Sequence, residues 1–184
     1  MNWDLTSYFE EFNGPQMVQF KEALQNEIAQ LQKTIVALAP LGEDNQAEWE
    51  SVFTTSEDVF ARLWHLNSYI GCLVSVDSQN GVYQKEAGAA AQITAEFEKV
   101  FAELRRTLKE VEDSLFDTFV GRKAFADAHY YLSRMRRAGQ NLMTSDKEAL
   151  AADLAVDGIK AWGRLYDTVT ENLEFEVVYP DCST

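Results

Sequence analysis

Apolar residues recur every three or four positions through most of this chain, and the breaks in that rhythm divide it into helices. From Met17 onward, Phe20, Leu24, Ile28, Leu31, Ile35 and Leu38 form one stripe, the pattern of a helix with a single buried face. Pro15, just after Asn13-Gly14, suits its first position, and Pro40-Leu41-Gly42 ends it. Ahead of it lies an aromatic arm, Trp3 to Phe12, predicted to be irregular and to anchor Trp3, Tyr8 and Phe9 on the core. A second helical region runs from about Ala47 to Val76. It reads as one helix or two, because Thr54-Thr55-Ser56 is a weak helix former and Thr54 with Glu57 has the spacing of a new capping box.

Asp77 to Gly81 reads as a turn, since Asn and Gly tolerate left-handed backbone conformations, and the turn makes a helical hairpin. Beyond it Tyr83, Ala87, Ala90, Phe97, Phe101, Leu104, Leu108, Val111 and Leu115 continue one seam. This predicts the longest element of the chain, a rod of roughly 50 Å at ~1.5 Å per residue. Gly88 to Ala91 is a small-residue patch on it, expected where another helix comes close, with a ligand groove as the alternative. Gly121 separates the rod from a helix near Lys123 to Arg137, and Gly139 to Thr144 links that helix to the last one.

The final helix, Ser145 to Leu173, is the most legible. Ser145 and Glu148 have capping-box spacing. Leu150, Leu154, Gly158, Ala161, Leu165 and Val169 then form a stripe, widened by Trp162, Tyr166 and Leu173. Gly158 costs a helix roughly 1 kcal/mol against Ala, so a close neighbouring helix is expected there. Phe175, Val177 and Tyr179 alternate with Glu174, Glu176 and Val178 before Pro180, the pattern of a short strand. The whole predicts an all-α fold: an antiparallel multi-helix bundle or layered helical domain with long helical hairpins and a short C-terminal β segment. The length, 184 residues, suits a single domain over 1–184 with a sizeable core.

Charge narrows the list of partners. Sixteen Lys and Arg against thirty Asp and Glu give a net charge of −14, which disfavours nucleic acid and anionic membrane as partners. The apolar run Leu63 to Val76 is interrupted by His65, Asn67 and Ser68 and is shorter than the ~20 residues a bilayer requires, so no membrane span is expected. The N-terminus is acidic where a secretory signal is basic. Cys72 and Cys182 form no Cys-x-x-Cys pair. These features together fit a reducing cytoplasm.

Candidate chemistry is sparse. With only His65 and His129, a His-Glu-x-x-His zinc helix is absent. Arg62 and Ala126 stand where the Glu-x-x-His of a di-iron bundle needs its carboxylates. His129 falls on the apolar side of its predicted helix, as a hydrogen-bonded core or boundary histidine, and His65 beside Trp64 reads similarly. The functional alternative sets His129, Tyr130 and Tyr131 toward a substrate cleft, with the phenols bonding a peptide backbone. Arg134, Arg136 and Arg137, with Arg122 and Lys123, form the one basic concentration. It is read either as a solvated helix end favoured by the helix dipole or as a docking point for an acidic surface. No residue is assigned a catalytic or metal-binding role.

Three stretches carry a resemblance. A Glu-x-Leu run, a Gly, Ala161-Trp162 and Leu165-Tyr166-Asp167 resemble the N-terminal helical region of oligoendopeptidase F-type zinc metallopeptidases. So do Trp3-Asp4-Leu5-Thr6, and Leu66 to Ser78 with Tyr69, Leu73, Ser75, Asp77 and Ser78. The resemblance implies a noncatalytic N-terminal portion, one wall of a cleft that admits short peptides. A downstream catalytic zinc domain of the same protein would be its partner, short peptides the ligands of the full-length enzyme, and zinc a cofactor of that domain and not of this chain. The end at Val177-Val178-Tyr179 reads as a truncation point. The competing expectation is an autonomous helical protein-interaction module without enzymatic activity.

Overall fold

A computed structural model describes residues 4–77, 79–141, 143–144, 147, 150, 154, 158–171 and 173. The chain divides into two compact units, Met1–Gln140 and Asn141–Thr184. The described residues are helical and connecting segments, with no strand among them. The fold is all-α and layered, as its periodicity predicts.

The first unit opens with the aromatic arm. Asp4 caps a turn by accepting from the Thr6 N–H at 3.0 Å and hydroxyl at 2.6 Å. Phe9 is buried, and Tyr8 packs on His65 with ring centroids 4.8 Å apart. Asn13, at φ 54, turns the chain into α1 (Pro15–Ala37), and Asn is one of the few residues that adopts this left-handed conformation at low cost. Pro15 occupies the first turn, and Met17, Leu24, Ile28, Leu31 and Ile35 are the buried stripe.

A 3-10 turn, Glu43–Asn45, leads into α2 (Gln46–Val76). It is one helix. Thr54, whose spacing to Glu57 suits a second helix start, instead turns its hydroxyl back to the carbonyls of Glu50 at 3.0 Å and Ser51 at 3.1 Å. Asn80 then caps α3 (Gly81–Glu110) by accepting from the N–H groups of Val82 at 3.0 Å and Tyr83 at 3.3 Å.

Cross-helix pairs give the topology. Ala39 accepts from the Trp49 indole at 3.1 Å and Glu27 pairs with Arg62, so α1 and α2 run antiparallel. Asn67 bonds Thr94 at 3.1 Å and Phe60 stacks on Phe97, so α2 and α3 also run antiparallel. Lys21 pairs with Glu86 and Gln32 reaches Glu96, so α1 and α3 lie parallel. Each of the three helices touches the other two. Leu24, Leu66 and Leu104, one from each helix, are fully buried in the shared core.

The expected continuous rod breaks at Val111. Residues after it form a separate short helix, α4 (Asp113–Val120), so α3 has 30 residues and α2, with 31, is longer. Arg136 explains how the break is held. Its guanidinium donates to the carbonyls of Leu108 at 3.0 Å and of Val111, pairs with Asp113 at 3.0 Å and lies 4.4 Å from the Phe116 ring centroid. One side chain thus satisfies carbonyls that a helix end leaves without partners. Gly88 also departs from expectation: it is exposed, and a Cβ there would meet nothing within 4 Å.

After Gly121, a 3-10 turn (Lys123–Phe125) precedes α5 (His129–Gly139), which starts later than the sequence suggests. α5 runs antiparallel to α3, with Arg136 at Leu108 and Gly139 at Arg105. Gly139, which reads in sequence as the start of a linker, is a point of close approach. A Cβ on it would fall 2.7 Å from the Arg105 carbonyl oxygen.

In the second unit, α6 (Ile159–Glu171) follows a turn at Gly158. Its apolar stripe is exposed: Trp162, Leu165, Tyr166 and Val169 all face solvent, as do Leu150, Leu154 and Leu173. The Ser145–Glu148 cap, the Phe175–Tyr179 strand, Trp3, Ser78, Ala161 and Cys182 lie outside the residues or side chains described.

Candidate functional site

The walls of one aromatic-lined concavity come from three helices. α2 supplies Phe53, Ser56, Glu57 and Phe60, residues on one face by the three-and-four spacing of a helix. From α3 come Phe97, Phe101 and Leu104, one turn apart. The far wall is Phe125, the Asp127-Ala128 loop, and Tyr131, Leu132 and Met135 of α5. They enclose a trough of about 400 Å³.

Its base is a packed aromatic array. Phe53 meets Phe125 edge-on at 6.1 Å and Phe119 at 5.7 Å, and Phe119 lies 5.0 Å from Phe125. Such geometry matches the preference of aromatic quadrupoles for edge contacts. Toward solvent, Phe60 stacks on Phe97 at 6.2 Å and Phe97 abuts Phe101 at 6.3 Å. Ser56 is buried, and its hydroxyl donates to the Val52 carbonyl at 2.7 Å, so its oxygen retains acceptor capacity.

Charge is arranged unevenly around this trough. Glu57 and Asp127 are the charged residues that line it. Arg105 lies over Phe101 at 5.0 Å, with its Nε buried and without a hydrogen-bond partner. Partial burial holds the Tyr131 hydroxyl above the usual tyrosine range. The Arg105 and Arg134 guanidinium groups pull it down, and Glu57 pushes it up.

Of the three residues singled out by sequence, Tyr131 lines the trough and is half-exposed. His129 and Tyr130 are exposed on the first turn of α5 and are not among its walls. The core placement expected for His129 is therefore corrected: α5 begins at His129 itself, so the periodicity drawn across Phe125 and Leu132 does not run through one helix. His65 does occupy a boundary position. Its Nε2 is 3.2 Å from the Tyr8 carbonyl, and its ring packs against Phe9 and Phe20.

The basic concentration is partly structural. Arg122 pairs with Glu50, and Arg136 is consumed by the end of α3. Arg134 and Arg137 are exposed. Sequence reasoning missed Phe60, Glu57 and Arg105 as neighbours of Tyr131. The available signal was Phe60, an aromatic residue two turns after Phe53 on α2 with charged residues two positions away on either side.

Among the described residues, no group of three or more His, Cys, Asp and Glu side chains is placed to hold a metal ion. No helix among the described residues is long and apolar enough to cross a membrane.

Comparison with known proteins adds one match. Residues 107–175 match the model of the family described as Oligopeptidase F. No curated protein and no solved structure matches the chain. The matched stretch contains Ala161-Trp162 and Leu165-Tyr166-Asp167, whereas Trp3 to Thr6 and Leu66 to Ser78 lie outside it. Over this stretch, from the end of α3 through α6, the chain is similar to the oligopeptidase F family.

Proposed function

We propose that this chain is the noncatalytic N-terminal region of an oligopeptidase F-like zinc peptidase, forming a wall that selects and shields short peptides. The observation that carries this reading is the family match over residues 107–175, which includes α5 with Tyr131. The zinc ligands and the carboxylate base belong to a catalytic domain of the same protein, because two histidines, His65 and His129, are too few and too far apart for a zinc helix here. The chain by itself has no peptidase activity. Short peptides are the ligands of the assembled enzyme; Tyr131, which lines the trough, is the residue read to hydrogen-bond a peptide backbone, and the cytoplasm is the enzyme's compartment.

The apolar surfaces on α6 and along the trough support this reading, since a region that works against a second domain keeps such faces for it. A second reading, an autonomous interaction module, is favoured by the compact core of the Met1–Gln140 unit. Binding of a hydrophobic dye and sedimentation velocity separate the two. The peptidase-region reading expects strong dye binding or self-association of the purified chain. A sharply monomeric, dye-silent protein contradicts it.

A further inference from the structure

The trough between α2, α3 and α5 combines two features that an unfilled seam of the core does not need. Its upper walls are aromatic and open to solvent, Phe60 being 51% and Tyr131 52% exposed. Its lining charges are both carboxylates, Glu57 and Asp127, and both are exposed. Aromatic faces attract cations through their quadrupole, and rim carboxylates add a charge attraction of the same sign. The −14 net charge of the chain steers cations toward it from a distance.

We propose that this trough binds a short cationic peptide. An apolar or aromatic side chain seats against Phe60, Phe97 and Phe101, and a lysine, an arginine or a free α-amino group lies beside Glu57 and Asp127. The inference rests on the reading of the chain as a peptide-handling region and names the class of peptide that region selects. The volume of about 400 Å³ falls in the range of roughly 300–1,000 Å³ typical of small-ligand sites. Arg105, over Phe101 at 5.0 Å, already makes the cation–π contact within the protein. With Arg134 it flanks Tyr131 without lining the trough, so the ligand's cation belongs on the carboxylate side.

The test uses the full chain and three rhodamine-labelled short peptides of one length: alternating Phe and Lys, the same with Gln for Lys, and the same with Glu for Lys. Fluorescence anisotropy should give the Lys peptide an affinity about tenfold or more above the Gln peptide, with the Glu peptide weakest. Raising the salt concentration should narrow that gap. The Glu57→Gln, Asp127→Asn double variant, checked for fold by far-UV circular dichroism, should lose most of the preference. Phe60→Ala should weaken the Lys and Gln peptides alike. Equal affinity for the three peptides, or a preference unchanged in the double variant, overturns the cationic selectivity and leaves peptide handling standing. No binding of any peptide overturns the proposed site, and the peptidase-region reading is then judged separately on whether the same gene encodes a zinc helix.

Discussion

The seam of α3 and the stripe of α6 are written in the same code and meet opposite fates. In α3, Ala90, Ile93, Phe97, Val100, Leu104 and Leu108 are all buried against α1, α2 and α5. In α6, Trp162, Leu165, Tyr166 and Val169 recur at the same spacing and are exposed. Apolar periodicity therefore marks the face a helix reserves for a partner, and says nothing about which partner covers it.

That contrast can be tested by matched substitutions. Leu104→Ala, which empties a site only 1% exposed in the first unit, should cost about 2–5 kcal/mol in urea unfolding. Leu165→Ala, at 51% exposure in α6, should change stability by less than about 0.5 kcal/mol. A cost for Leu165→Ala comparable to that for Leu104→Ala would mean that α6 buries its stripe in solution.

The glycines of the two regions give a sharper contrast, because one substitution carries opposite signs. Gly139→Ala puts a methyl 2.7 Å from the Arg105 carbonyl oxygen and should destabilise by about 1–3 kcal/mol. Gly163→Ala, inside α6 with nothing within 4 Å, should raise helix content and stabilise that helix by about 1 kcal/mol or less. Thermal melts followed by circular dichroism read both. A destabilising Gly163→Ala would reveal a neighbour packed on α6.

Smaller effects refine the first unit. Asn80→Ala removes the two side-chain bonds that start α3 and should cost about 1 kcal/mol. The Tyr131 hydroxyl, raised above the usual tyrosine range by partial burial, should ionise at a higher pH than a free tyrosine. Its contribution to stability is fully present below the ordinary tyrosine value and is lost as pH rises through the folded one. Ultraviolet difference titration of the wild type against Tyr131→Phe measures it. Glu57→Gln should bring the titration down, because it removes the charge that pushes the hydroxyl up.

Much of the fold was legible because local rules and packing agree. Pro15 at a helix start, Met17 to Ile35 as a buried stripe, and Asn80 at a hairpin turn each follow from one residue's backbone or side-chain chemistry. The break at Val111 was not legible. Val111 and Leu115 keep the seam's spacing, and the carbonyls freed at the break are bonded by Arg136, 25 residues from Val111. Likewise Thr54-Thr55-Ser56 reads locally as a possible restart, and tertiary burial of Val52, Phe53 and Ser56 carries the helix through it. The candidate site was legible only at Tyr131. Its companions Phe60 and Phe101 come from other helices, and only the antiparallel register of α2 against α3 brings them to one trough.

The most direct measurement is of the gene itself. If the proposed peptidase-region reading holds, translating the genomic DNA in frame past codon 184 should show an open frame with His-Glu-x-x-His on a predicted helix and a further Glu downstream. A stop codon directly after Thr184 would contradict that assignment and turn attention to a separate binding partner.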